Sequence, residues 1–96
     1  MNKEKVYIAG GISNDPNYKE HFSEAEKYLK ELGFQPINPI MPLGFTYKEY
    51  IDMGLSKLKY CDSIFMLKGW QESKGALLEH LYAQTIDLKI MYEEEQ

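Results

Sequence analysis

Two apolar runs constrain the fold of this chain more than anything else in it. Val6-Tyr7-Ile8-Ala9 and Ser63-Ile64-Phe65-Met66-Leu67 are short and unbroken by polar alternation. Runs of this kind need cover on both faces, as interior strands of a parallel sheet have. Parallel neighbours cannot be joined by a tight turn, so long crossovers must separate them, usually helices. The intervening sequence supplies those helices. Tyr18, Phe22, Ala25, Leu29 and Leu32 recur at alternating spacings of four and three, which makes one apolar helix face. Asp15-Pro16 predicts the N-cap and first helical position, and Gly33 the stop.

Phe34 to Ile37 allows only a short strand, and Pro36, which has no N–H to donate, confines it to an edge. Asn38 to Phe45 holds two prolines and a glycine and is read as a loop. Thr46 and Glu49 have capping-box spacing, ahead of a helix with Tyr47, Tyr50, Ile51, Leu55 and Leu58 on its apolar side. Lys68 to Glu72 forms a loop around Trp70. Ser73 caps a third helix, whose buried side is expected from Leu77, Leu78, Leu81 and Leu88. Leu88 to Met91 reads as a last strand. The order βαβαβαβ gives an α/β fold with a parallel sheet between helices. Residues 1–92 form one domain, and 93–96 an acidic tail expected to fray.

A chain of 96 residues supports one core and is small enough to favour oligomers. A net charge of −4 argues against a nucleic acid polymer as partner, yet leaves room for a small anion held by local donors. The single cysteine, Cys61, excludes an internal disulfide and a multi-cysteine zinc site, and reads as a core residue. No apolar run approaches the ~18 residues that span a bilayer, and the N-terminal run is too short for a signal peptide. No membrane partner is therefore expected, and the expected location is cytoplasmic. His21 and His80 read as surface or structural residues. Without ligand spacing around them, neither a metal nor another cofactor is expected. Dinucleotide, triphosphate and nucleophile-elbow motifs are all missing.

Ligands of open parallel sheets sit at the carboxyl ends of the strands, near the switch in strand order. The loops there are Gly10–Asn14 and Lys68–Ser73, each leading into a helix N-terminus that favours an anion. Ser13, Ser73 and Lys74 add hydroxyl and ammonium donors. Gly10 and Gly11 fit either a ligand-binding loop or a simple tight turn. Glu79 follows Gly75 by four residues, so its side chain leans back over the turn that Gly75 leaves open. Two readings follow: a carboxylate beside a ligand space, or a solvated one with Gly75 merely packing close to a strand. Asp52 falls in the first turns of the second helix, near the same edge. Asp62 precedes the third strand at the opposite edge and reads as a structural cap.

Val6 to Gly11, Asp52, the run Gly69-Trp70-Gln71-Glu72-Ser73-Lys74-Gly75-Ala76-Leu77-Leu78-Glu79, and Ala83 together resemble the nucleoside 2-deoxyribosyltransferase superfamily. The similarity is greatest to its branch of small bacterial and phage domains. The resemblance implies a flavodoxin-like three-layer sandwich with a four-stranded parallel sheet in the order 2-1-3-4. It also implies a homo-oligomer and cleavage or transfer of an N-glycosidic bond by a glutamate nucleophile. By position Glu79 matches that nucleophile, Tyr7 and Gly10 the strand end lining the sugar pocket, and Asp52 a base-contacting aspartate. Six residues before the nucleophile, transferases often carry aspartate. Ser73 stands there instead and looks like the sister group of deoxynucleoside 5′-monophosphate N-glycosidases, whose hydroxyl contacts phosphate. The expected partner is thus a small nucleoside or nucleotide. Many transferases add a residue from a neighbouring subunit's C-terminus, an element this sequence is not expected to supply. Two alternatives accompany the enzyme reading: a catalytically silent nucleotide-binding module of the same fold, and an interaction domain with Trp70, Tyr47 and Phe45 as its interface.

Overall fold

The computed structural model describes residues 3–12, 15–39 and 44–94. In chain order the elements are β1 (Lys5–Ala9), α1 (Tyr18–Glu31), β2 (Gln35–Ile37), α2 (Tyr47–Leu58), β3 (Ser63–Met66), a 3-10 turn at Trp70–Glu72, α3 (Lys74–Thr85) and β4 (Lys89–Tyr92). The strands form one parallel sheet in the order β2-β1-β3-β4. From β1 the chain steps first to β2 on one side, then across to β3 on the other. Right-handed crossovers therefore put α1 on one face and α2 with α3 on the opposite face. This is the flavodoxin-like α/β arrangement expected, with the switch in strand order at β1.

Burial explains the unbroken apolar runs. Val6, Ile8, Phe65 and Leu67 pack against Phe22, Ala25 and Leu29 of α1. Tyr7, Ala9, Ile64 and Met66 point the other way, onto Leu58, Ala76 and Ala83. Each interior strand thus feeds two cores, one per face. β2 is an edge strand, as Pro36 requires. Both bonds of the Thr46–Glu49 capping box form, and Gly33 ends α1 at φ +93°. Ser73 Oγ accepts from the Ala76 N–H at 3.2 Å, which caps α3. At the far edge Asp62 Oδ2 accepts from the Lys5 N–H at 2.9 Å, the structural role expected of it.

Four expectations need correction. α1 starts at Tyr18 behind Asn17, not behind Asp15. The Asp15 carboxylate is engaged in a turn ahead of the helix, accepting from the Asn17 N–H at 2.9 Å, with His21 Nδ1 at 2.6 Å from its other oxygen. β4 begins one residue late, because Leu88 donates its N–H to Ala83 O in closing α3. Glu93 is tied down: its N–H donates to Met66 O at 2.8 Å and its Oε1 accepts from the Lys68 N–H at 2.8 Å. Finally, α3 does not bury its leucines. Leu77, Leu78 and Leu81 are 43%, 40% and 58% exposed, while Ala76 and Ala83 meet the sheet. Two alanines seven residues apart share a face and bring the helix axis close to the strands, which leaves the leucines on the side away from the sheet. Leu88 alone of the four packs against the core.

Candidate active site

Three elements meet around one carboxylate. Tyr7, buried on β1 among apolar neighbours, donates its hydroxyl proton to Glu79 Oε2 of α3 at 2.6 Å. Gly54 of α2 closes the group. A Cβ at Gly54 would stand 2.8 Å from Glu79 Oε2 and 3.0 Å from the Tyr7 hydroxyl. Glycine inside a helix costs roughly 1 kcal/mol against alanine. Here the gain is physical room for the carboxylate.

Burial pushes the Glu79 carboxyl up to about 7, against the opposing pull of the Tyr7 hydrogen bond. Near neutral pH the group therefore exchanges between acid and carboxylate. Burial first, then the facing Glu79 charge, raises the Tyr7 phenol far above its ordinary value, so it stays a proton donor.

The carboxylate borders a cavity of about 330 Å³ at the carboxyl ends of β1 and β2, between α2 and α3. That volume lies within the range of small-molecule sites, ~300–1,000 Å³. Tyr7 and Gly10 line it from β1, Tyr47, Tyr50, Ile51, Gly54 and Lys57 from α2, and Ser73, Lys74, Gly75 and Glu79 from the α3 side. Glu72 stands on the same rim. Among the described residues no group of three or more His, Cys, Asp or Glu side chains could hold a metal ion.

Residues 4–92 match the family described as a domain of unknown function (DUF4406). The chain belongs to that family. No curated protein matches the sequence. Among solved structures, a 2-desoxiribosyltransferase from Leishmania mexicana shares the fold at a TM-score of 0.74 and 17% identity, over 93% of this chain and 63% of that one. The DUF4406 chain thus spans less than two thirds of that enzyme's length. A CMP N-glycosidase from Clostridium botulinum matches at a TM-score of 0.68 and 20% identity, over 93% of this chain and 70% of that one. The DUF4406 domain therefore has the nucleoside 2-deoxyribosyltransferase-like fold.

Of the site residues read from the sequence, Glu79, Tyr7, Gly10, Ser73, Lys74 and Gly75 come together on the cavity of the DUF4406 domain. Gly11 is half-buried beside it without lining it, and Ser13 lies outside the described residues. Asp52 does not join them. It is exposed on α2, about 200° around the helix from Gly54, and is not part of the wall. Close packing also constrains two of the glycines. A Cβ at Gly75 would meet Ile51 Cδ1 at 3.2 Å, so Gly75 lets α2 approach α3 while lining the cavity that Glu79 borders. A Cβ at Gly10 would fall 2.9 Å from Leu67 Cβ, so close approach to the neighbouring strand's end explains that glycine.

Two residues escape a reading of the DUF4406 sequence. Gly54 could have been found as an isolated glycine within an otherwise regular amphipathic helix. Lys57, three positions on, is a charge on the face that also carries Gly54 and Leu58. Its Nζ donates to Asn38 O at 3.1 Å, and burial lowers its pKa. The histidines serve elsewhere. His80 stacks on Trp70 at 4.3 Å between ring centroids, with Nε2 2.8 Å from the Tyr92 hydroxyl.

Proposed function

We propose that this DUF4406 domain breaks the N-glycosidic bond of a (deoxy)nucleoside or its 5′-monophosphate, with Glu79 as the nucleophile. The supporting observation is a carboxylate on a cavity wall, held through Oε2 by a phenol that stays protonated. Oε1 is left to react. The ionised carboxylate bonds to the anomeric carbon while the C1′–N bond breaks and its electron pair leaves with the base, through an oxocarbenium-like state. Water or a second base then attacks the same carbon, the ester C–O bond breaks, and the carboxylate is restored. With Glu79 titrating at about 7, the nucleophile is present in quantity at neutral pH.

The N-terminus of α3 suits a 5′-phosphate. Its first-turn N–H groups at Lys74 and Gly75 have no intrahelical acceptor, and the end of the dipole there is positive. The Ser73 oxygen is engaged by the Ala76 N–H, which leaves the hydroxyl proton to donate. Lys74 adds an ammonium on the same rim. A clostridial protein of this fold is a CMP N-glycosidase, in keeping with a nucleotide at such a site. The exposed Leu77, Leu78 and Leu81 further support a homo-oligomer, since contiguous apolar patches mark contact surfaces.

The test is incubation with a panel of deoxynucleosides and their 5′-monophosphates, with free base followed by chromatography. Release of base by the intact domain and its loss in a folded Glu79→Ala variant are expected. Release that persists in that variant overturns the nucleophile.

A further inference from the structure

Lys57 is a charged group on the cavity that has no part in the chemistry above. Lys57 lies on α2, which begins at the ligand edge of the sheet and runs away from it. Helical side chains lean toward their own N-terminus, so Lys57 reaches back to that edge. Its Nζ arrives at the carbonyl of Asn38, the residue that follows β2, at 3.1 Å. Ser73 and Lys74 stand on the other side of β1, beyond the end of β3. β2 and β3 are two strand spacings apart, roughly 10 Å, with Tyr7 and Glu79 between them. A nucleotide with phosphate at the α3 terminus and its anomeric carbon at Glu79 therefore extends its base toward Lys57.

The ammonium is equipped for that contact. It carries three N–H donors, of which Asn38 O takes one. Among the described residues it forms no ion pair with a carboxylate. The other charged groups lining the cavity are Glu72 and Lys74 near α3's start and Glu79, whose Oε2 is engaged by Tyr7. A half-buried ammonium that has no ion-pair partner among the described residues gains from an acceptor on a ligand.

We infer that Lys57 is a contact to the leaving base: its ammonium donates to an acceptor adjacent to the glycosidic nitrogen, O2 of a pyrimidine or N3 of a purine. This rests on the nucleoside reading of the site. Negative charge grows on the base as the C1′–N bond breaks, so the contact strengthens toward the transition state.

The experiment is calorimetric titration in a Glu79→Gln background, so that no ligand is consumed. The ligands are a pyrimidine deoxynucleoside, its 5′-monophosphate, and the nucleoside analogue lacking the C2 carbonyl oxygen. With Lys57 present, the carbonyl-bearing nucleoside binds tighter than the analogue by roughly 10- to 100-fold. Lys57→Met removes that preference, and Lys57→Arg restores part of it. The affinity ratio of monophosphate to nucleoside stays the same throughout. Lys57→Gln, neutral and still able to donate to Asn38, is read in the same way if the Met variant fails to fold. A preference that survives loss of the ammonium shows a loop-tethering lysine and overturns the inference. So does a loss confined to the monophosphate, which marks a phosphate contact. Carbonyl-dependent binding without base release by the wild type refutes the enzyme and leaves Lys57's role standing. Binding of none of the three ligands overturns both.

Discussion

The Tyr7 hydroxyl donates to Glu79 Oε2 at 2.6 Å, joining the interior strand β1 to the second turn of α3. That bond favours the ionised form of a carboxyl that burial pushes the other way. Removing it with Tyr7→Phe therefore raises the Glu79 pKa further above about 7. A hydrogen bond to a charged group contributes about 1.5–3 kcal/mol, and one pKa unit corresponds to about 1.4 kcal/mol, so the shift is about one to two units. Base release by the wild type should rise with pH through a midpoint near 7. In Tyr7→Phe the midpoint moves upward, and activity partly recovers above it. A midpoint that stays put or falls contradicts the role given to the phenol.

The same carboxyl links stability to pH. Its folded pKa, about 7, lies above the ordinary 4.5. Between those values the folded chain holds a proton that the unfolded chain has released. The group's favourable contribution is thus complete below pH 4.5 and is lost as pH rises through 7. The full shift corresponds to about 3 kcal/mol as an upper bound. Glu79→Gln keeps the shape and abolishes the titration. It should be more stable than wild type at pH 8, by up to that amount, with the gain shrinking toward pH 5. Denaturant unfolding at the two pH values decides; an equal difference at both refutes the buried-carboxyl assignment.

Gly54 makes an unusual demand on a helix. Alanine is the better helix former by roughly 1 kcal/mol, yet its methyl would stand 2.8 Å from Glu79 Oε2. The atom it meets ends a flexible side chain, so the domain can yield by turning the carboxylate away from Tyr7. Gly54→Ala should then fold with stability within about 1 kcal/mol of wild type, while base release falls at least about tenfold, one 1.4 kcal/mol step in barrier. Full activity in a folded Gly54→Ala variant would show that the carboxylate position is not critical.

The fold is legible in this sequence because its signals are local. Continuous apolar runs at β1 and β3, the Thr46–Glu49 box, Gly33 and the Ser73 cap all speak through neighbours in the chain. The site is legible only in part. Glu79 stands out through the motif that carries it, but its immediate surroundings come from residues 25 and 72 positions away, Gly54 and Tyr7. No spacing rule reaches so far. The same limit explains Gly75, whose neighbour proves to be Ile51 of α2. Asp52 fails for another reason. Chain position set it near the ligand edge, but helical phase turned it outward. On α3 the period is readable while the buried side is not, since leucines and alanines compete for it and the close approach to the sheet selects the alanines.

That outcome on α3 has a consequence for assembly. Leu81 is 58% exposed, and Leu77 and Leu78 beside it are 43% and 40% exposed. Three leucines on the outward side of one helix lose apolar hydration only if another surface covers them, at roughly 25 cal/mol per Å². A second copy of the chain carries the same face, and a two-fold contact makes such a patch self-complementary. The wild type should therefore sediment as more than one 11.2 kDa chain at high micromolar concentration. Leu81→Glu sets a charge in the patch that burial would strand without a partner, so it should yield monomers. Being exposed within one chain, the substitution should leave the monomer's own unfolding free energy within about 0.5 kcal/mol of its unsubstituted value. Sedimentation equilibrium of both proteins decides, and a wild type that is monomeric at that concentration removes the assembly from the reading while leaving the Glu79 site untouched.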